Sequence, residues 1–458
     1  MGTILTNGTL VTAQGEQKAD MLLENGKIAQ IDAQIPQAGH IVYDAAGCYV
    51  FPGMIDAHTH LDMSTATATT ADNFDTGTAA ALAGGTTTLI DFATQEKTET
   101  LHTALQNWHK KADGNSHCDY AFHMAITDWN ADVCREIGEL KALGVTSFKL
   151  YLAYDALRVT DAQLYEVLVA VGKAHGIVGV HCENGDLVDE LTAKLKRAGE
   201  FGVSAHPKSR PDYVEAEAIS RYCYVAKAAN VPVHIVHVST KLGLAEALKA
   251  RARGQKVYIE TCPQYLALDD EKYLLPDFEG AKYVCSPPLR GKDDVAALWQ
   301  SVQNGEVDSI STDHCSFRFD TQKSMGKDDF SQIPNGMPGI EHRLSVLYTD
   351  GVAAGHITRS RLVALLSENA ARLFGLYPQK GTLAIGSDAD IVVWNPAAEW
   401  TITAEKMLQN VDYTPYEGKK ISGIAKAVFL HGELAAENGA VVKRNLGRYV
   451  PRGESEYF

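Results

Sequence analysis

The sequence predicts the α/β class: a distorted (β/α)8 (TIM) barrel flanked by a composite β-sandwich built from both chain ends. Three observations carry this reading. Apolar, β-rich runs alternate with helical stretches from about residue 50 to about residue 375, and the runs end near Asp56, Phe92, Met124, Leu152, Cys182, Ser239, Thr261 and Asp313. Short strands joined by tight turns fill the first fifty residues and return after the helical stretch Leu362–Phe374. No glycine-rich phosphate loop follows the first strand, which disfavours a doubly wound open sheet. The expected organisation is therefore residues 1–51 as the first part of the sandwich, 52–375 as the barrel, and 376–458 as the second part of the sandwich with a tail.

Composition narrows the class. A chain of 458 residues is long enough for a large domain plus a smaller one, and 45% hydrophobic with 22% charged residues argues against disorder. The net charge of −15 disfavours nucleic acid and anionic membranes as partners. The N-terminus lacks a basic segment followed by an apolar one, and no apolar run reaches the roughly 20 residues that span a bilayer. Eight cysteines scattered from Cys48 to Cys315 without a CxxC pair read as reduced thiols, hence a cytoplasmic location.

Taken in order, Ile4-Leu5-Thr6 and Thr9-Leu10-Val11 flank Asn7-Gly8, and Met21-Leu22-Leu23 and Lys27-Ile28-Ala29 flank Asn25-Gly26. Asn-Gly between apolar runs predicts hairpins, because both residues tolerate the positive φ of a type I′ turn. In the middle, Asp161–Ala174, Tyr213–Ala229 and Leu242–Arg253 carry apolar residues at helical spacing. Longer intervals before Ser239 and Asp313 leave room for inserted loops or extra helices. Asp390–Trp394, Ala427–Leu430 and the Asn438-Gly439 turn restore the strand rhythm. Each end is too small for a core of its own, so one composite sandwich is expected. The polar tail Tyr449–Phe458 is free to reach a neighbouring subunit.

A barrel gathers its chemistry at the C-terminal ends of its strands. The first strand carries His58 and His60, which share one face because residues i and i+2 of a strand do. The fourth carries Lys149, the fifth ends at His181, the sixth contains His237, and the eighth ends at Asp313. Imidazoles and a carboxylate suit Zn²⁺ or a similar ion. Lys149 sits in an apolar strand; a buried ammonium beside cations is disfavoured, so its amine should be neutral and able to take up CO2 as a carbamate that bridges two metals. The remaining histidines, among them His102, His109, His117 and His356, fall mostly in helices or loops. Cys182 and Cys315 flank ligand positions, but strand parity points them away from the metal. Asp56 shares the face of His58 and His60, as a partner of the ligands or as a local cap.

These residues stand in motifs that resemble the cyclic amidohydrolases, most closely the dihydropyrimidinase/hydantoinase branch. The motifs are Pro52–His60, Gly84–Thr88, Phe148–Tyr154, His181–Asn184, Glu260–Leu266, Ser286–Arg290, Ser311–Cys315, Pro334–Gly336 and Lys380–Asp390, and the resemblance spans essentially the whole chain. It implies two Zn²⁺ per subunit, bridged by carbamylated Lys149 (N6-carboxylysine) and a hydroxide. His58, His60, Lys149 and Asp313 would hold the more buried ion; Lys149, His181 and His237 would hold the other. Asp313 would act as general base and then general acid, and Tyr154 would donate to the developing oxyanion. Ser286 and Asn335 would hold the imide edge of a small cyclic amide or imide, and ring opening would give an N-carbamoyl amino acid. A homotetramer (or homodimer) is implied as well.

The branch selects the ring substituent with loops after the first and fourth strands. Here the matching positions are Met63, Thr65, Tyr151 and Arg158, in a loop reading Met63-Ser64-Thr65-Ala66-Thr67 where many relatives have Met-Pro-Phe-Gly-Gly. Thr65 and Arg158 predict a polar mouth and a preference for small or polar substituents, dihydrouracil over 5-phenylhydantoin. An allantoinase- or dihydroorotase-like activity is disfavoured by Tyr154 and the Ser311–Cys315 motif. The filled set of ligand positions argues against a non-catalytic member of the fold.

Overall fold

The structure, a computed structural model, describes residues 2–65 and 67–456. Eight strands form one ladder in chain order, each parallel to the next: β1 (Met54–Thr59), β2 (Thr86–Thr94), β3 (Asp119–Ala125), β4 (Ser147–Tyr151), β5 (Ile177–His181), β6 (Val233–Ile235), β7 (Val257–Thr261) and β8 (Ser309–Ile310). Parallel neighbours need crossover connections, and helices such as Leu101–Ala112, Ala131–Ala142 and Asp161–Lys173 supply them. Polar caps start several of these helices at once after a strand or loop. Asn184 accepts from Leu187 N–H just beyond β5, and Thr240 accepts from Gly243 N–H beyond β6.

The ring closes without a regular last ladder. Thr59 bridges His314, and the His60 N–H donates to the His314 carbonyl at 2.8 Å. Asp56 stitches the same seam: its carboxylate accepts from the Thr312 N–H (3.0 Å) and hydroxyl (2.7 Å). Arg343 donates across it to the carbonyls of Ile55 and Ile310. Asp56 is thus a seam residue, one position from Asp313 through Thr312. The two short strands β6 and β8 end before their candidate ligands, so His237 (φ 40°) and Asp313 (φ 52°) sit on left-handed backbone beyond them. This is where the barrel departs from regularity.

Both chain ends build the flanking sheets. A seven-stranded sheet joins Thr9–Thr12, Gly15–Lys18 and Tyr49–Pro52 to Ile391–Thr401, Lys420–Leu430, Glu433–Glu437 and Ala440–Val441, with Tyr49–Pro52 antiparallel to Ile391–Thr401. A four-stranded sheet holds Thr3–Thr6, Asp20–Glu24, Lys27–Asp32 and Ile41–Asp44. Leu5, Met21, Val50, Ile391 and Phe429 share one buried cluster that draws on both sheets.

Asn25-Gly26 and Asn438-Gly439 have positive φ at both residues and close antiparallel hairpins, as the sequence predicts. Asn7-Gly8 does not. Only Asn7 is left-handed (φ 61°), and the two flanking strands belong to different sheets. Gly8 is there for proximity: a Cβ on it would lie 2.7 Å from Val50 Cγ2. The expected hairpin is a corner between layers.

The tail also differs from expectation. Up to Glu456 it straps its own barrel: the Tyr120 N–H donates to the Arg448 carbonyl, the Val450 N–H to Tyr120, and the Glu456 N–H to Arg372. Buried Arg452 donates to Ser147 Oγ and the Phe122 carbonyl at the N-terminal end of the barrel. Tyr457 and Phe458, the end of that predicted tail, lie outside the described residues. No helix among the described residues is long and apolar enough to cross a membrane.

Candidate metal centre and substrate cavity

Along β4, sequence order becomes depth. Ser147, Lys149 and Tyr151 share the inward face; Ser147 meets Arg452 at the floor, Lys149 stands at mid-height, and Tyr151 reaches the cavity above. That cavity, about 410 Å³, is lined by all six predicted ligand residues and by Tyr154, Ser286 and Asn335. The structure therefore gathers side chains that are up to 255 positions apart in the sequence, from His58 to Asp313.

His58, His60 and Asp313 offer ligand atoms within 4.8 Å of one another. Asp313 Oδ1 lies 3.2 Å from His58 Nε2 and 3.1 Å from His60 Nε2, and Lys149 Nζ lies 3.4 Å from His58 Nε2. On the other side, His181 Nδ1 lies 3.0 Å from His237 Nε2. Outer partners orient the rings. His58 Nδ1 faces Glu260 Oε1 at 2.7 Å, and His181 Nε2 faces Glu183 Oε2 at 2.9 Å. Burial keeps His58 neutral, its pKa well below the usual value, so one proton must serve two nitrogens. With that proton on Nδ1 for Glu260, the Nε2 lone pair points at an Asp313 oxygen. By the same reasoning the His181 Nδ1 lone pair points at His237, whose Nδ1 is buried without a protein partner. Lone pairs converging on each other and on a carboxylate are a donor set for cations, so these residues fit divalent metal.

Charge follows the same logic. Burial lowers the Lys149 amine to about 8, which makes the free amine accessible near neutral pH. Burial opposes ionisation of Asp313, but the contact with His60 Nε2 at 3.1 Å helps to hold the carboxyl below the usual range. Burial is likewise outweighed at Glu183, where Arg210 and His181 keep the carboxyl down to about 2. Tyr154 sits on left-handed backbone (φ 68°) with the Arg210 guanidinium 5.3 Å from its ring centre. Burial pushes its phenol up to about 12, so it stays protonated and can donate.

At the mouth, Met63, Thr65 and Tyr151 line the cavity, and Arg158 does not. Arg158 pairs with Asp155 (2.6 Å) and Asp186 (2.7 Å), while its neighbours Ala156 and Leu157 face inward with Ile333. The Thr65 hydroxyl is spent on its own loop, donating to the Ala68 carbonyl at 2.7 Å. Of the two residues expected to make the mouth polar, Arg158 turns away and Thr65 is tied to its own loop, and the mouth is mixed, with Ser64 and Thr67 beside Met63, Leu157 and Ile333; Ala66, part of that predicted loop, lies outside the described residues. Cys182 donates to the Val180 carbonyl and stays out of the cavity, but Cys315 lines it: it stands two positions from Asp313, so strand parity puts it on the face of that ligand and not away from it. Sequence reasoning missed Glu260, Glu183 and Arg210. Glu260 carried a signal of the kind used for Lys149, a charge inside the apolar strand Val257–Thr261.

A (β/α)8 barrel with candidate metal-ligand side chains at its strand ends is the architecture of one class of hydrolase, and the chain belongs to it: residues 49–435 match the Amidohydrolase family. Within that family it is 44% identical over 457 residues to a D-hydantoinase from Geobacillus stearothermophilus, covering 99% of this chain and 97% of the relative. A D-phenylhydantoinase from Escherichia coli is 39% identical, covering 99% and 98%. The crystal structure of a dihydropyrimidinase from Brevibacillus agri superposes with a TM-score of 0.98 at 41% identity, covering 99% of both chains.

Proposed function

We propose that this enzyme opens the ring amide of dihydropyrimidines or 5-monosubstituted hydantoins, giving N-carbamoyl amino acids. The observation that carries the reading is the six-residue donor cluster that lines one cavity together with Tyr154, Ser286 and Asn335. His58, His60 and Asp313 with Lys149 would hold one Zn²⁺, and His181 and His237 with Lys149 the second, with Lys149 as an N6-carboxylysine able to serve both. Bound divalent ions supply acidified water near neutral pH and polarise the scissile carbonyl.

The chain's own groups do the rest. The Asp313 carboxylate, ionised throughout the working range, accepts the proton of the attacking water and delivers it to the departing ring nitrogen. The Tyr154 O–H donates to the oxygen on which charge develops. Backbone groups at Ser286 and Asn335 fix the imide edge, so that the scissile bond faces Asp313. Met63, Leu157 and Ile333 give the mouth an apolar side, next to Ser64 and Thr67, that suits hydantoins with apolar or aromatic 5-substituents. The relatives named as D-hydantoinases support a preference for the D form. Assembly as a homotetramer (or homodimer) in the cytoplasm remains part of this reading and is checked by light scattering of the purified protein. The test of function is direct: elemental analysis for zinc, and chiral analysis of the product from hydantoin, dihydrouracil and 5-phenylhydantoin. A zinc-loaded protein that opens none of these rings refutes the proposal.

A further inference from the structure

Lys323 is fully buried, yet the salt bridges among the described residues give it no carboxylate. Its Nζ instead lies 2.7 Å from the Val284 carbonyl, 3.0 Å from that of Pro334 and 2.6 Å from that of Gly336. Carbonyls only accept, so three of them require three N–H donors, which an ammonium has and a neutral amine lacks. Burying that charge is costly, and burial alone presses its pKa down to about 7. The three acceptors come from two separate segments, and those segments are the ones that carry Ser286 and Asn335. Val284 lies two residues before Ser286, and Pro334 and Gly336 flank Asn335.

The consequence is orientation. With the carbonyls on both sides of Asn335 turned onto Lys323, the Asn335 carbonyl is left to the other side, where Cys315 Sγ lies 3.7 Å away and the cavity opens. The two segments are also tied to each other, since the Gly336 N–H donates to the Val284 carbonyl at 3.0 Å. Gly336 also packs closely on the segment that follows the eighth strand: a Cβ there would lie 2.3 Å from the Cys315 carbonyl, so a side chain would displace it.

We propose that Lys323 is a positioning residue for the substrate's imide edge, its ammonium clamping the Val284–Ser286 and Pro334–Gly336 backbones at one separation. It touches none of the metal-ligand candidates in the hydrogen bonds above, so it acts on binding of the ring and not on the metal centre. The inference rests on the assignment of Ser286 and Asn335 to the imide edge under the proposed function.

The experiment compares Lys323→Met and Lys323→Gln with the parent holoenzyme, measuring kcat and KM for dihydrouracil, zinc content, and inhibition by acetohydroxamate, a small metal chelator with no imide edge. For Lys323→Met the expected result is a KM raised about tenfold or more with kcat within about threefold. Zinc content and acetohydroxamate inhibition should be unchanged. Lys323→Gln, which keeps two donors, should fall between the two, and it carries the test alone if the methionine variant does not fold. An unchanged KM in either folded variant, or a fall in kcat that tracks zinc loss, overturns the assignment. A parent enzyme that opens no cyclic imide refutes the proposed function instead, so the two failures are distinguishable.

Discussion

Two buried clusters in this barrel bring acidic groups together at its opposite ends, and only one suits a metal. At the C-terminal end, His58, His60 and Asp313 converge with their free electron pairs facing one another, and Lys149 lies 3.4 Å from a histidine nitrogen with its amine pushed towards neutrality. At the N-terminal end, Asp119, Asp388 and Asp390 also place ligand atoms within 4.8 Å. There Lys380 Nζ occupies the centre, 2.7, 3.1 and 2.5 Å from the three carboxylates, and these partners overcome burial to raise its pKa. His431 and Lys27 join from the sandwich side. The lesson is that convergence of carboxylates does not define a metal site; what matters is whether the protein supplies the cation itself. One lysine is surrounded by acids and stays charged, and the other is surrounded by imidazoles and tends to lose its proton.

The contrast is sharpest at Lys149. Lys149→Arg keeps a charge but cannot form a carbamate, so zinc and ring-opening activity should fall together, by about a thousandfold or more in kcat/KM. Retained binuclear zinc in that variant would break the comparison. Next, Asp313→Asn removes the proposed proton carrier and should lower kcat about 10²- to 10⁴-fold, measured at saturating substrate; a near-normal rate excludes Asp313 from that role. At the other end, Lys380→Met strands three buried carboxylates, which should cost about 3–5 kcal/mol in unfolding free energy. Folded variant should still load zinc to the parent level, and zinc loss in parallel with stability would show the two clusters to be one unit.

Acid should act on histidines that the fold keeps neutral. Burial lowers His206 to about 3, and His234 and His342 to about 4, so the unfolded chain binds more protons below its ordinary histidine pKa of about 6.5. Their stabilising contribution is complete above about pH 6.5 and is lost as pH falls towards about 4. The melting temperature should drop over that window, and His342→Phe, whose parent side chain packs by Trp400 and Tyr416 away from the cavity, should reduce the slope. An unchanged slope would mean that His342 is not among the groups responsible. The smallest effect is expected at Arg158→Ala: because the guanidinium pairs outside the cavity, kcat/KM for 5-phenylhydantoin relative to dihydrouracil should shift less than about threefold. A larger shift would return Arg158 to the mouth.

Much of the site was legible because a strand's period of two and a barrel's polarity are local rules. The pair His58/His60, Lys149 within its apolar run and His181 at a strand end could be read without coordinates. What escaped were residues whose position depends on a distant partner. Arg158 is drawn aside by Asp186, Glu260 reaches His58 across the barrel, and Arg210 reaches Glu183 from a separate segment.

By itself, the sequence determined the alternating strands and helices, the true Asn-Gly hairpins and the residue types that can bind a cation, since these follow from spacing and side-chain chemistry. Only the tertiary structure decided that Asn7-Gly8 turns a corner between sheets, that the tail straps its own barrel, and that Lys149 and Lys380 bear opposite tendencies in charge. The physical reason is the same in each case. Backbone pairing partners and the electrostatic surroundings of a buried group are set by segments far away in the chain, and no local pattern encodes them.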